Sequence, residues 1–517
     1  MTLYQFCGKC AYPKQQPSIL LIDPKLSRRA SDLLGPRALK GDREMEWLKG
    51  TNLDGGTKDR KEMLEREYEQ VLGVVEDEEF RHELTWELYL WACNVISSRC
   101  FPNKLIEPDE VELNEALFPL ADSLNHRPRQ RITWKVQGRS ALHLITEDGI
   151  EAGEQVFNNY GTKSNEELLI GYGFCIPDNP DDWVAIKVNF TQDPLRDQKL
   201  AVLSQLGISE LTHFIKKNII PPDLFAQLGV LAMNANEIKI FQQMSEKASI
   251  KEKIFGYRCE IAMLELFSLF LRKKFELIKD RDDEFWNDEG EGLSTEGLSK
   301  LGNAKIYIDG QREILETALR TIASREIWVL ENASRDFRDG RINLVFILGD
   351  NVANVVVREP LNAHINRDSN LDATKMELLD SIMITFKIVM LDDEFSEAMR
   401  EVFDGESLME EEDVVLMLYL ICESKRVERS QKSRWKLFIE TIREYEDTSI
   451  SQEKIEEIVE LYNDLNSSIL SSSKCSKMFT KDVFNVNRLI WATSIFENCC
   501  VNYYDREGRA CVGILPL

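Results

Sequence analysis

Three short words dominate residues 118–174: Phe118-Pro119-Leu120-Ala121-Asp122-Ser123-Leu124-Asn125-His126, then Phe157-Asn158-Asn159-Tyr160-Gly161-Thr162-Lys163-Ser164-Asn165, then Gly171-Tyr172-Gly173-Phe174. They constrain the fold because they lie where the pattern of the chain changes. Upstream, Leu88, Trp91, Val95 and Ile96 fall near helical spacing, which predicts a buried helix over 85–99. Between about 130 and 190 the pattern breaks into short β segments, 132–136, 141–145, 155–157 and 183–188, separated by turn residues. Ser164 reads as the cap of a short helix over 164–171, with Glu166 and Glu167 in its first turn complementing the helix dipole.

The remainder is mostly helical. Residues 1–40 mix Pro, Gly and basic residues without periodicity, so a poorly ordered N-terminus is expected. Residues 42–75 are charged and helical in pattern, broken by the turn-like Asp54-Gly55-Gly56. From 193 to 335 the pattern is almost wholly helical (222–233, 251–279, 306–329), and the acidic, Gly-containing segment 280–302 predicts an exposed loop. From 336 a β-like start, 342–348 and 353–357, leads into helices at about 371–403, 411–424, 432–444, 452–467 and 480–500.

At 517 residues the chain calls for two or three domains. Hydrophobic content of 43% and charged content of 30% are those of a soluble globular protein. With no run of eighteen apolar residues and no apolar stretch behind an N-terminal basic one, neither a membrane partner nor a secretory signal is expected. The eleven cysteines, odd in number and scattered, predict reduced thiols and a cytoplasmic or nuclear location. Cys7-x-x-Cys10, without a second pair or nearby His, reads as a turn, and no metal is expected. A net charge of −25 argues against general nucleic-acid binding, because an acidic surface repels phosphates. It is compatible with a lysine-bearing protein partner and equally with simple solubility.

An Asn-His pair and a Tyr in this order and at this separation resemble the two signatures of the SET-domain methyltransferases. The flanking words resemble the branch of the plant Rubisco large-subunit lysine methyltransferases and their fungal and animal relatives. The resemblance implies an α+β protein: a SET-type β-fold with a pseudoknot and a helical insertion over 41–190, then an all-α substrate-binding domain over 191–335. Ile219-Ile220-Pro221-Pro222-Asp223-Leu224 resembles a stretch near the start of that domain. It implies a protein-lysine N-methyltransferase that uses S-adenosylmethionine (SAM), with Tyr160 as the catalytic tyrosine. Asn125, His126, Asp122 and Leu124 then match the SAM-binding segment, Arg99 a SAM-contacting arginine, Phe174 a cover for the adenine and Tyr172 a wall of the lysine channel. Such a reaction needs a neutral, desolvated amine in line with the methyl-sulfur bond, which a narrow apolar channel favours.

One departure complicates this. Family members begin with a Gly-x-Gly segment whose backbone approaches SAM closely, and nothing like it precedes Trp47; Gly290-Glu291-Gly292 lies in the acidic segment. Residues 336–517 resemble, weakly, the missing half: Arg358-Glu359-Pro360-Leu361 and Lys432-Ser433-Arg434-Trp435 follow the family's order, and Gly340-Arg341-Ile342 lacks the second glycine. Trp91-Ala92 to Cys100 is echoed by Trp491-Ala492 to Cys500, with Cys499 standing where Arg99 does, and Pro119-Leu120 is echoed by Pro516-Leu517. A second, partial SET-like region over 336–517 is therefore expected. Two functions remain open: an active methyltransferase, acting on lysine or, as among animal relatives, on histidine; or a degenerate member serving as a binding or scaffold module. The oligomeric state is also open.

Overall fold

The computed structural model describes residues 42–102, 115–118, 120–137, 141–243, 256–339, 371–403, 407–429, 432–443, 450–505 and 509–515. The expectations for 1–40, Cys7 and Cys10, the β-like segments 342–348 and 353–357, Gly340 to Ile342, Arg358 to Leu361 and Pro516-Leu517 lie outside the described residues. The chain divides into two compact units. One comprises the chain up to Ala185 with Phe214–Ile219 and Arg272–Thr317, the other Ile186–His213, Ile220–Leu271 and Ala318 onward.

In the first unit a short helix, Asp42–Trp47, precedes the 23-residue helix α1, Asn52–Val74. The break lies at Gly50, whose φ of +80° is open to glycine, and not at the expected Asp54-Gly55-Gly56 turn. Gly55 and Gly56 occupy the first turn of α1 facing open space, where they cost helix propensity but obstruct nothing. Helix α2, Trp86–Arg99, starts on Thr85, whose hydroxyl accepts the Leu88 N–H. It buries Tyr89 and Cys93 against Leu64 and Val71 of α1. Rings of Tyr68, Trp86 and Tyr89 close that contact, with centroids 5.3–6.0 Å apart.

Helix α2 runs straight into strand β1, Cys100–Pro102, antiparallel to β2, Glu115–Leu117. A single 3-10 turn, Ala121–Ser123, leads to β3, Asn125–His126. Strands β4, Ile132–Gln137, and β5, Ala141–Thr146, form an antiparallel hairpin that pairs Trp134 with Leu144. The expected strand at 155–157 is shorter and later: β6 is Phe157–Asn158. Helix α3, Asn165–Tyr172, carries a complete capping box between Ser164 and Glu167 and ends on Gly173 in the left-handed region.

The expected loop over 280–302 is instead a helix, Asp283–Gly290, followed by the first turns of a 44-residue helix, Thr295–Arg338. Asp282 caps the shorter one by accepting the Phe285 N–H, and Trp286 is buried with its indole N–H on the Arg281 carbonyl. Acidic composition concealed both the cap and the anchor.

The second unit is mainly helical. Helices Arg196–Gln205, Pro222–Ala232 and Ala235–Gln243 fall where helix was expected. One core of this unit joins Glu412–Glu428, Lys436–Ile442, Gln452–Ser471 and Val486–Cys499 through Leu416, Leu420, Phe438, Ile469 and Ile495. Buried ion pairs among the described residues here include Arg258 with Glu237, and Lys375, whose Nζ lies 2.6 Å from Glu265 and 2.9 Å from Glu326. Val486–Cys499, like α2, has 14 residues and passes without a break into a strand, Cys500–Tyr504, paired antiparallel with Ala510–Ile514. Ile384–Thr385 adds the third strand of that sheet. Thus the echo in sequence is an echo in element order, although Val486–Cys499 has nine buried residues and α2 has two.

Candidate functional site

Strands β3 and β6 pair in parallel, Asn125 with Phe157 and His126 with Asn158, so the Asn-His word and the Tyr160 word meet directly. A parallel pair requires a crossover, and the connection here carries the β4–β5 hairpin. The pairing is reinforced by the Arg127 N–H, which donates to the Asn158 carbonyl at 2.9 Å.

Tyr160 is bound to the β3 segment at both ends. Its backbone N–H donates to His126 Nδ1 at 3.0 Å, and its hydroxyl donates to the Leu124 carbonyl at 2.8 Å. The imidazole and phenol rings stack, with centroids 5.1 Å apart and planes at 20°. Because Nδ1 accepts, the neutral ring carries its proton on Nε2, and among the described residues nothing accepts from that buried atom. Burial lowers the His126 pKa from its ordinary value, which keeps the ring neutral.

Tyr172 stacks on the other face of the cluster, its centroid 4.9 Å from that of Tyr160 with planes at 26°, and Phe174 meets Tyr172 edge-on at 6.3 Å. Burial pushes both phenols above their ordinary pKa; for Tyr160 the Arg99 guanidinium opposes that rise. Arg99, at the last turn of α2, donates from Nη1 to the Asp122 carbonyl at 3.1 Å and its carboxylate at 3.3 Å. Asn125 is exposed. The structure therefore brings His126, Leu124, Tyr160, Tyr172 and Phe174 into one aromatic cluster, with the Arg99–Asp122 pair joined to the turn that precedes Leu124. Asn125 belongs to the same strand and faces outward.

Two further residues shape the site although no role was assigned to them from sequence: Asn158, inside the second word, and Asp182, beyond the third. Asn158, 2% exposed, accepts the Trp134 indole N–H at 2.9 Å and the Asn159 N–H at 2.8 Å, fastening the hairpin to β6. Asp182, buried, accepts the Asn165 N–H at 2.9 Å and the Trp183 N–H at 3.0 Å.

No protein-family model matches the chain. It is 30% identical over 332 residues to a ribosomal lysine N-methyltransferase, set10, of Schizosaccharomyces pombe, covering 62% of this chain and 57% of the relative. It is 30% identical over 165 residues to an actin-histidine N-methyltransferase of Drosophila melanogaster, covering 31% of each. Ribosomal lysine N-methyltransferase 1 of Saccharomyces cerevisiae is 33% identical over 126 residues, 24% of this chain and 21% of the relative. The chain thus spans from about a fifth to just over half of these relatives' lengths. Among solved structures, Rubisco LSMT bound to sinefungin and monomethyllysine matches with a TM-score of 0.46 and 21% identity, over 60% of this chain and 72% of that one.

Proposed function

We propose that this chain, related in sequence to protein lysine and histidine N-methyltransferases and carrying SET-type signatures, transfers a methyl group from SAM to a lysine side chain of a protein substrate. The observation that carries the reading is the double attachment of Tyr160 to β3, which fixes a phenol beside the Asn-His segment. When bound, SAM supplies an electrophilic methyl on a sulfonium. The residues present fit such a molecule: the His126 Nε2 donor is orphaned and buried, and Arg99 is held near the β3 turn by Asp122. His126, Asn125, Arg99, Leu124 and Phe174 would hold the donor.

The chain's own residues then act on the amine. The stacked rings of Tyr160 and Tyr172 exclude water, so a lysine inserted beside them loses the solvation that keeps it protonated. The Tyr160 hydroxyl, its proton committed to the Leu124 carbonyl, presents its lone pairs to the site and orients the reacting groups. Lysine is favoured over histidine because aromatic walls suit an aliphatic stem, while the relationship to actin-histidine N-methyltransferases keeps histidine as an outcome of the test.

The second reading is a degenerate, SET-like module that binds a protein without transferring a methyl group. Calorimetric titration with SAM of the parent chain and Asn125→Ala separates the two. The expected result is parent binding that the variant weakens; a parent that binds no SAM sinks the enzymatic reading. Incubation of the parent with labelled SAM and a whole-protein extract, followed by amino-acid analysis, is expected to yield methyl-lysine, and methyl-histidine alone would overturn the choice of residue.

A further inference from the structure

The aromatic cluster has two walls that meet in the Tyr160–Tyr172 ring stack. One is Tyr160, at the end of β6; the other is Tyr172 with Phe174, at the end of α3. Tyr160 is followed by Gly161, at φ +98°, and then by a short link to α3. A single buried polar node spans that link and the turn beyond Phe174. Asn165, 2% exposed, opens α3; its Oδ1 accepts the Ile176 N–H at 2.9 Å, and its Nδ2 donates to the Ile176 carbonyl at 3.0 Å and to Asp182 Oδ2 at 3.2 Å. Asp182 Oδ1 accepts the Asn165 backbone N–H at 2.9 Å. Asn179 completes the node, donating from Nδ2 to the Lys163 carbonyl at 2.9 Å and to Asn165 Oδ1 at 3.3 Å.

Four arms of this node reach backbone on either side of the cluster: at Lys163 and Asn165, which follow Tyr160, and, twice, at Ile176, which follows Phe174. Gly310 on the long helix faces the carboxylate so closely that a Cβ there would lie 2.6 Å from Asp182 Oδ2, so the site is built around that oxygen. An Asn at 182 keeps the shape but turns one acceptor into a donor, opposed to the Asn165 amide. Asn165 cannot turn over to relieve the conflict without losing Ile176 and Asn179.

We infer that Asp182, acting through Asn165, is a positioning residue that sets the spacing between Tyr160 and the Tyr172–Phe174 wall. The inference takes its catalytic meaning from the methyl-transfer reading, but its test does not depend on that reading. The full chain, labelled with 3-fluorotyrosine, is compared by fluorine NMR as wild type, Asp182→Asn and the milder Asn179→Ala. Resonances are assigned through Tyr160→Phe and Tyr172→Phe.

The expected result is that Asp182→Asn moves both the Tyr160 and Tyr172 resonances while those of Tyr68 and Tyr89, in the α1–α2 contact of the same unit, stay in place. Asn179→Ala shifts the same two resonances by less, and decides the matter should Asp182→Asn not fold. Pocket resonances that stay fixed in both variants, or that move only together with Tyr68 and Tyr89, overturn the inference. In the same samples SAM affinity is expected to fall about tenfold in Asp182→Asn, the scale of one hydrogen bond to a charged group. Unchanged affinity in a variant with displaced resonances would overturn the positioning role for the donor pocket. A wild type that binds no SAM would defeat the methyl-transfer reading alone, with the resonances still deciding the coupling.

Discussion

Tyr160 owes its place to both its backbone and its ring, and this sets what each neighbouring residue can be asked to do. Tyr160→Phe keeps the His126 contact and the stack but releases the Leu124 carbonyl. Methyl transfer is expected to fall by about a hundredfold or more, the cost of misplacing a reacting group, with SAM affinity little changed. Single-turnover assays beside calorimetry check this, and equal losses in both would mean the hydroxyl serves binding instead. His126 adds a pH dependence. Its folded pKa lies below 6.5, so the neutral ring's contribution is full above 6.5 and is lost as pH falls through that value towards the folded one. Hydrogen exchange at the Tyr160 amide, corrected for the intrinsic rate, is expected to lose protection across that window; flat protection would refute the Nδ1 assignment. At this scale the sequence was informative about Tyr160, His126 and Arg99, which belong to recognisable words. Asn158 and Asp182 were not legible, since a buried polar side chain acquires its role from partners 17 to 24 residues away that no local pattern announces.

Among the elements, α3 is the best determined by its own residues. Ser164 and Glu167 satisfy reciprocal backbone donors, Gly173 ends the helix in the left-handed region, and all of this can be read from the sequence. Ser164→Ala is expected to cost about 1 kcal/mol of unfolding free energy for the first unit, measurable by urea denaturation. A loss indistinguishable from zero would show that the Asp182 node alone seats the helix. The misread elements share one cause. Glycine pairs and acidic runs were taken as breaks, yet Gly55 and Gly56 face open space inside α1, and Asp282 is a cap, not a loop residue. The hairpin Cys500–Tyr504 with Ala510–Ile514 went unnoticed because Cys, Asn, Tyr and Gly do not alternate cleanly with apolar residues. Its parallel with β1 and β2 was nonetheless implicit in the Trp-Ala echo.

For the whole molecule, burial of carboxyls decides the response to pH. Burial raises Asp182 to about 6 and Glu412 to about 7, and it raises Glu265, Glu260 and Glu166 as well. A carboxyl whose folded pKa exceeds its unfolded one binds more protons when folded, so stability grows as pH falls through the folded value. Acids held low by cations, such as Asp392 and Glu428, give up their contribution only below the ordinary carboxylate range. The charge of −25 also relaxes on acidification. Thermal unfolding is therefore expected to shift upward between about pH 8 and pH 6, with His126 alone among these groups opposing it at the lower end. A midpoint that falls steadily over that interval would contradict the burial of these carboxyls.

The two-residue parallel pairing of β3 with β6 closes a loop of about thirty residues with very few bonds, a poor exchange against the entropy of closure. Such a pairing is expected to be the first part of the first unit to loosen on warming and the last to set. Anything that bridges the two strands would act as a rivet, so cofactor occupancy would be felt as mechanical stiffness in the crossing well before it altered the melting of the helices around it.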